Sequence, residues 1–122
     1  MKALLSIKPV FADMIFAGTK RYEFRRAIFK RNDLDGVLVY ASAPVQRVIG
    51  EFKIKEIIAD DIETVWRKTW KYAGISHEYF LAYFNNRNRA YAIKVVSPRL
   101  FAHQRRLSAY NLTVAPQSFV YV

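Results

Sequence analysis

"GTKRYEFRR", the stretch from Gly18 to Arg26, crowds four basic residues around one acid, with two aromatic residues between them. A strand alternates its side chains, so Tyr22 and Phe24 are expected on one face and Glu23 and Arg25 on the other. Such a cluster can be a solvated face, a nucleic-acid-binding surface or a catalytic site. The remainder of the chain has to separate these alternatives.

Patterns on both sides of this stretch predict strands with helices in their connections. "ALLSI" is a short apolar strand, and a helix follows with Pro9 in its first turn and Gly18 at its end. "DGVLVYAS", "RVIGEFKIKEII" with a bulge at Gly50, "AYAIKVV" and "APQSFVYV" supply further strands. We therefore expect an α+β fold, with five to six strands in a small mixed β-barrel and a helix after the first strand.

A helical insert is expected between the two central strands. The spacing of Asp60 and Glu63 is that of a capping box at the start of one helix, and Ser76 is the expected N-cap of a second. The aromatic residues of this insert recur at helical spacing, which predicts a place for them in the core. They are Trp66, Trp70, Phe80 and Phe84.

The composition points to an anionic partner. The chain has 122 residues with 20 Lys and Arg against 10 Asp and Glu, a formal net charge of +10. This balance favours nucleic acid or another anion. The chain has no cysteine, which excludes disulfides, thiolate metal sites and a cysteine nucleophile. The start carries no secretory pattern and no segment is long and apolar enough to span a membrane, so we expect a cytoplasmic protein without a membrane partner.

The motif Gly-x-Lys-x-x-Glu-x-Arg stands complete as Gly18, Lys20, Glu23 and Arg25. With "SIKP", "YASAP", "AYAIKV" and "APQSF" in order around it, the chain resembles the ASCH domain, a branch of the PUA-like superfamily, in its small stand-alone form. The resemblance covers nearly the whole chain and implies a single ASCH domain over residues 1–122.

This resemblance implies RNA binding in a cleft between the barrel and the first helix, with a role in regulating transcription or translation. Physically, a Lys, a Glu and an Arg on one short segment offer two cations for phosphate and a carboxylate for a base or for an ion pair. The residues expected to contact nucleic acid are Lys8, Lys20, Glu23, Arg25, Arg26, Tyr40 and Ser118.

Hydrolysis is the alternative, because some members of the family cleave amides or RNA. In the amide-hydrolysing subgroup a Thr nucleophile stands three residues after the motif Lys, where this chain has Glu23, so that chemistry is not expected here. A small metal-independent ribonuclease or a nucleoside-processing hydrolase remains open, with Lys20, Glu23 and Tyr40 as candidate catalytic residues. A DNA-binding regulator is a weaker third reading, since no helix-turn-helix pair with a basic face is evident.

No metal site and no cofactor are expected. The two histidines, His77 and His103, have no second ligand at a diagnostic spacing. The many outer arginines and lysines suit a broad phosphate-tracking surface, although part of them is explained by a solvated face. Tyr22 and Trp66 are candidates for stacking on unpaired bases.

Overall fold

The computed structural model describes residues 1–122 and has six strands and three α-helices. The strands are β1 (Ala3–Ile7), β2 (Tyr22–Arg25), β3 (Val37–Ala41), β4 (Arg47–Asp60), β5 (Ala90–Arg105) and β6 (Phe119–Tyr121). The helices are α1 (Pro9–Ala17), α2 (Ile62–Thr69) and α3 (His77–Tyr83), and short 3-10 turns span Trp70–Tyr72 and Leu107–Tyr110. The predicted α+β class, the helix after β1 and the helical insert between β4 and β5 are confirmed.

The six strands form one curled sheet in the order β2-β5-β4-β3-β1-β6, a half-barrel. β1 runs parallel to β3, and the other neighbouring strands are antiparallel. The expected bulge lies at Gly50: Val39 pairs with Gly50 and Tyr40 with Val48, which leaves Ile49 as the extra residue. β2 and β6 are the two edges of the sheet, and no strand pairing joins them.

Gly50 also lets α1 lie close to the sheet. A Cβ at this position would be 2.6 Å from the Phe16 ring of α1 and 2.5 Å from the Arg99 carbonyl oxygen. Neither the ring nor the backbone can withdraw by that distance without repacking, so only glycine fits. The close contact fixes α1 across the inner face of the sheet.

Two main apolar clusters stabilise this arrangement. One joins α1 to β1, β3 and β4, with Leu5, Ile15 and Val39 fully buried. The other lies between β2 and the helical insert and includes Tyr22 and Phe24. The alternation predicted for β2 is thus confirmed, and the buried Tyr22 ring is not available to stack on a base.

Several boundaries in the insert differ from the prediction. α2 is capped by Asp61, whose side chain accepts from the Thr64 N–H, so the predicted Asp60 capping box is wrong by one residue. Ser76 does cap α3, accepting from the Tyr79 N–H. α2 ends at Thr69, and no helix of the structure is long and apolar enough to cross a membrane.

Candidate functional site

A cleft of about 750 Å³ opens where α1, β2, the end of β3, α3 and the C-terminal segment meet. The motif strand forms its floor, and the start of α1 with the chain before it forms one side. α3 and the loop before it form a second side, and residues 115–117 a third. The polar and charged lining residues are Ser6, Lys8, Lys20, Glu23, Arg25, Arg26, Tyr40, Ser42, Gln46, Tyr79, Tyr83 and Gln117.

Lys20 is the most deeply placed of the cations, with only 1% of its surface exposed. Its ammonium donates to the Ala73 carbonyl oxygen at 2.6 Å and lies 5.2 Å and 4.8 Å from the ring centroids of Phe11 and Phe24. No ion pair joins it to a carboxylate. One hydrogen bond and two aromatic faces are weak compensation for a buried ammonium, so burial lowers the pKa of Lys20 to about 8, against the opposing pull of Glu23.

Gly74 makes room for the stem of that lysine. Its φ is +71°, and a Cβ there would lie 2.8 Å from Lys20 Cγ. The segment Ala73–Gly74 therefore covers Lys20 closely and also holds its ammonium. The insert, which is distant from Lys20 in sequence, fixes the position of the side chain.

Glu23 lies beside these groups and is 5% exposed. Its ion pair is with Arg25, whose Nη1 is 3.7 Å from Glu23 Oε2, longer than an ordinary hydrogen bond. Burial raises the pKa of Glu23 above its usual range, opposed by the charges of Lys20 and Arg25. A buried carboxylate with such loose pairing can still accept hydrogen bonds from a ligand.

Arg25 closes the gap between the two edges of the sheet. From β2 its Nη1 donates to the Ser6 carbonyl oxygen at 3.3 Å, and its Nη2 donates to Ser118 at the carbonyl oxygen (3.0 Å) and at Oγ (2.9 Å). Ser6 N–H in turn donates to the Ser118 carbonyl oxygen. The guanidinium is thus largely committed to joining β2, β1 and the approach to β6, and Ser118 holds it there without itself lining the cleft.

Exposed cations pair with tyrosines at the rim. Lys8 Nζ donates to the Tyr79 hydroxyl at 3.3 Å. Arg26 Nε donates to the Tyr83 carbonyl oxygen at 2.7 Å, and its guanidinium lies 4.2 Å from the centre of the Tyr83 ring. Tyr79 and Tyr83 are one helical turn apart on α3 and both line the cleft. Exposed cations next to aromatic rings suit a ligand that carries both phosphate and bases.

Tyr40 presents a hydroxyl to the cleft from the end of β3. The ring is buried, with 5% of the residue exposed, and packs with Leu4, Leu38 and Val48. The Tyr40 hydroxyl makes no hydrogen bond within the protein. Because every fully buried side-chain polar atom does have a hydrogen-bond partner, this hydroxyl must be exposed to the open cleft. It is available to donate to a ligand.

The structure brings the sequence-predicted residues together at one place. Six of the seven expected nucleic-acid contacts line the cleft, and the seventh, Ser118, is bonded to Arg25. The cleft is also lined by Gln46, Tyr79 and Tyr83, which the sequence did not predict as site residues. The spacing of the two tyrosines on a helix was the available signal, but it indicated only that they share a face. No group of three or more His, Asp or Glu side chains is placed to hold a metal ion.

The sequence model of the ASCH domain family matches residues 5–99, and the chain therefore belongs to that family. It is 33% identical over 91 residues to an ASCH domain-containing ribonuclease of Zymomonas mobilis, an alignment that covers 75% of this chain and 62% of that protein. It is 28% identical over 119 residues to the large ribosomal subunit protein uL22 of Ureaplasma parvum, covering 98% of this chain. The chain spans only 38% of that ribosomal protein.

The fold of the Zymomonas mobilis ASCH protein is also similar. Its crystal structure superposes with a TM-score of 0.90 at 27% identity, over 99% of this chain and 87% of that one. Two further crystal structures of that protein are of variants, one with a serine replaced by alanine and one with a tyrosine replaced by phenylalanine. The half-barrel described above is the fold of an ASCH, PUA-like domain.

Proposed function

We propose that the cleft binds single-stranded RNA. The observation that carries the proposal is the graded placement of charge in one concavity: Lys20, Glu23 and Arg25 are buried at its floor, while Lys8 and Arg26 are exposed at its rim. Rim cations suit phosphates that stay in contact with water. The buried donors and acceptors at the floor suit the edge of a base, because a hydrogen bond in a buried site is stronger than one in water.

The dimensions favour an unpaired strand. A cleft of about 750 Å³ has the size of a pocket for one small ligand and does not admit a duplex. Unpaired nucleotides can turn a base inward, and Tyr79 and Tyr83 offer rings beside the entrance. Further support comes from a relative that is named a ribonuclease.

Cleavage of the bound strand is the second candidate. In such a reaction a base removes the 2′-hydroxyl proton, O2′ attacks phosphorus, and the O5′ that leaves takes up a proton, giving a cyclic phosphate and a 5′-hydroxyl. Lys20, with a pKa of about 8, can exchange a proton near neutral pH, and the raised pKa of Glu23 makes it a stronger base than an exposed glutamate. Tyr40 can donate to a phosphate oxygen. The relative named a ribonuclease favours this candidate.

The test uses labelled single-stranded RNA with wild-type protein, Glu23→Gln and Glu56→Gln, each in EDTA and in Mg²⁺. Glu56 is an exposed carboxylate on β4 without an ion pair, so Glu56→Gln makes the same chemical change outside the cleft. We expect Glu23→Gln to weaken binding by about tenfold, the cost of a buried charge-assisted hydrogen bond, and Glu56→Gln to bind as wild type.

The outcomes separate the two candidates. Product that forms with wild type and disappears with Glu23→Gln supports cleavage, and the EDTA arm shows whether a metal ion is required. A gel shift without product leaves binding alone. Equal affinity of duplex and single strand, or an affinity that does not fall with salt, contradicts the proposed mode of binding, because phosphate contacts release counterions.

A further inference from the structure

An exposed aromatic and basic surface lies on the helical insert, outside the cleft. Trp70 is 60% exposed and Tyr72 is 38% exposed in the 3-10 turn after α2. The expectation that Trp70 belongs to the core is therefore wrong, and its ring stacks on no other aromatic ring. Trp70 and Tyr72 together leave aromatic surface in water, and exposed apolar patches rimmed by polar residues mark interaction sites.

The charged residues next to Trp70 in the sequence are all basic. We call the insert patch the exposed set Arg21, Arg67, Lys68, Trp70, Lys71 and Tyr72. None of its four cations forms an ion pair. The chain has no Asp or Glu between Thr64 and His77. The charges thus remain available to an anionic partner, and they repel a basic one.

Arg21 shows how a cation and a ring are already arranged in this patch. Its guanidinium carbon lies 4.1 Å from the centre of the Tyr72 ring, and its backbone N–H donates to the Tyr72 carbonyl oxygen at 2.9 Å. Flat rings with adjacent cations are the arrangement on which unpaired bases stack while their phosphates are neutralised.

The patch is continuous with the segment that covers the floor of the cleft. Arg21 follows Lys20 directly, and Tyr72 is followed by Ala73, whose carbonyl oxygen holds the Lys20 ammonium. Ile75, two residues further, lines the cleft. The patch and the floor of the cleft are therefore joined through this segment.

We propose that the insert patch is a second nucleic-acid contact, on which Trp70 stacks an unpaired base of the RNA strand whose other nucleotides occupy the cleft. This proposal rests on the proposed function of the cleft. It assigns a longer single strand as the substrate class and predicts that affinity depends on RNA length. An acidic protein segment is the competing occupant of the patch. It remains the explanation if the RNA-binding test below overturns the proposal.

The test compares a tetranucleotide with a single-stranded RNA of about 16 nucleotides, long enough to cover a site of the usual size for such surfaces. Binding to wild type, Trp70→Ala, Trp70→Phe and Leu100→Ala is followed by fluorescence anisotropy. Leu100 is 58% exposed on β5 and serves as the matched control for loss of an exposed apolar side chain.

We expect Trp70→Ala to weaken binding of the long RNA about tenfold and to leave the tetranucleotide unaffected, whereas Trp70→Phe and Leu100→Ala bind the long RNA as wild type. The long RNA should also quench tryptophan emission of wild type more than that of Trp70→Phe. Equal binding of the long RNA by wild type and Trp70→Ala overturns the proposal and leaves the patch to a protein partner.

The result also distinguishes failure of the patch from failure of the cleft. If the tetranucleotide binds and Glu23→Gln weakens it while Trp70→Ala has no effect on either RNA, only the patch proposal falls. If neither RNA binds to wild type, the proposed function itself falls, and with it the proposal that rests on it.

Discussion

Two acidic residues of this molecule, each between two basic residues, are compensated very differently. On the surface, the Glu51 carboxylate accepts from Lys2 Nζ at 2.7 Å and from an Arg99 Nη at 2.8 Å, and these bonds hold the pKa of Glu51 below its usual value. In the cleft, the Arg25 guanidinium is 3.7 Å from Glu23, and Lys20 has only a carbonyl oxygen and two ring faces.

The difference separates the charged groups that the fold alone explains from those that indicate a binding or catalytic role. The Glu51 group is explained by its own contacts, which stabilise the fold slightly and are screened by salt. The cleft group costs folding free energy, because its charges are desolvated and incompletely paired. Buried charges that are poorly compensated in the free protein are typical of sites that a ligand completes.

The largest expected effect comes from Lys20→Met, which keeps the length of the side chain and removes the charge. We expect RNA binding, and cleavage if it occurs, to fall by about 100-fold, since a buried charged donor is lost from the floor. The matched control is Lys2→Met on the surface, which should leave both properties at the wild-type level. Equal losses in the two variants would contradict the distinction between the groups.

Stability against pH sharpens the same comparison. The pKa of Lys20 is about 8 in the folded chain, against an ordinary value of 10.5. Between these values the unfolded chain binds the proton that the folded chain has released, so the contribution of Lys20 to the free energy of unfolding rises with pH; below about 8 its full cost is present.

We therefore expect wild type to gain about 2–3 kcal/mol relative to Lys20→Met between about pH 7 and pH 10, measured by urea unfolding. Wild type should show no such gain relative to Lys2→Met over the same range, because that variant keeps Lys20. A constant difference between wild type and Lys20→Met would mean that the buried ammonium is better compensated than its contacts indicate.

Gly74→Ala should disturb the cleft through the backbone that covers Lys20. The residue has φ +71°, and the added Cβ would lie 2.8 Å from Lys20 Cγ, so strain and displacement of the lysine act together. We expect a loss of about 2 kcal/mol in the free energy of unfolding and a weaker RNA affinity.

Gly18→Ala is the control for the strain alone. Gly18 ends α1 at φ +84° with nothing within 4 Å of the added Cβ. It should cost about 1 kcal/mol in thermal or urea unfolding without changing RNA affinity. If both glycine variants lose affinity alike, the close contact with Lys20 has no role in binding.

The smallest effect is expected at the surface group. Glu51→Gln removes two ion pairs, and we expect a loss of less than about 1 kcal/mol that shrinks further in high salt. RNA affinity should stay within experimental error of wild type. A larger loss that persists in high salt would show that the surface group supports the fold more than exposed ion pairs usually do.

Much of the architecture was predictable, because it rests on local rules. Pro9 and Gly18 mark the two ends of α1, and alternation along the motif strand predicted that Tyr22 and Phe24 pack in one apolar cluster. The family motif also drew attention to residues that line one cleft. These features depend on backbone preferences and side-chain period, which act over a few residues.

Other features were not predictable, because residues distant in sequence decide them. The length of β5 is set by pairing with the similarly long β4. Helical spacing could not show that Trp70 lies past the end of α2 and faces solvent. Asp61 caps α2 in place of Asp60 because β4 continues to Asp60, whose side chain accepts from the Asp61 N–H instead.

The sequence by itself determined the α+β class, the charge that favours an anionic partner and the residue types in the motif. Only the tertiary structure decided that Ala73 and Gly74 enclose Lys20. It also decided that the Arg25 guanidinium is hydrogen-bonded to Ser6 and Ser118, which leaves Glu23 loosely paired. Burial and pairing depend on contacts between segments up to 93 residues apart, and these set the electrostatics of the cleft.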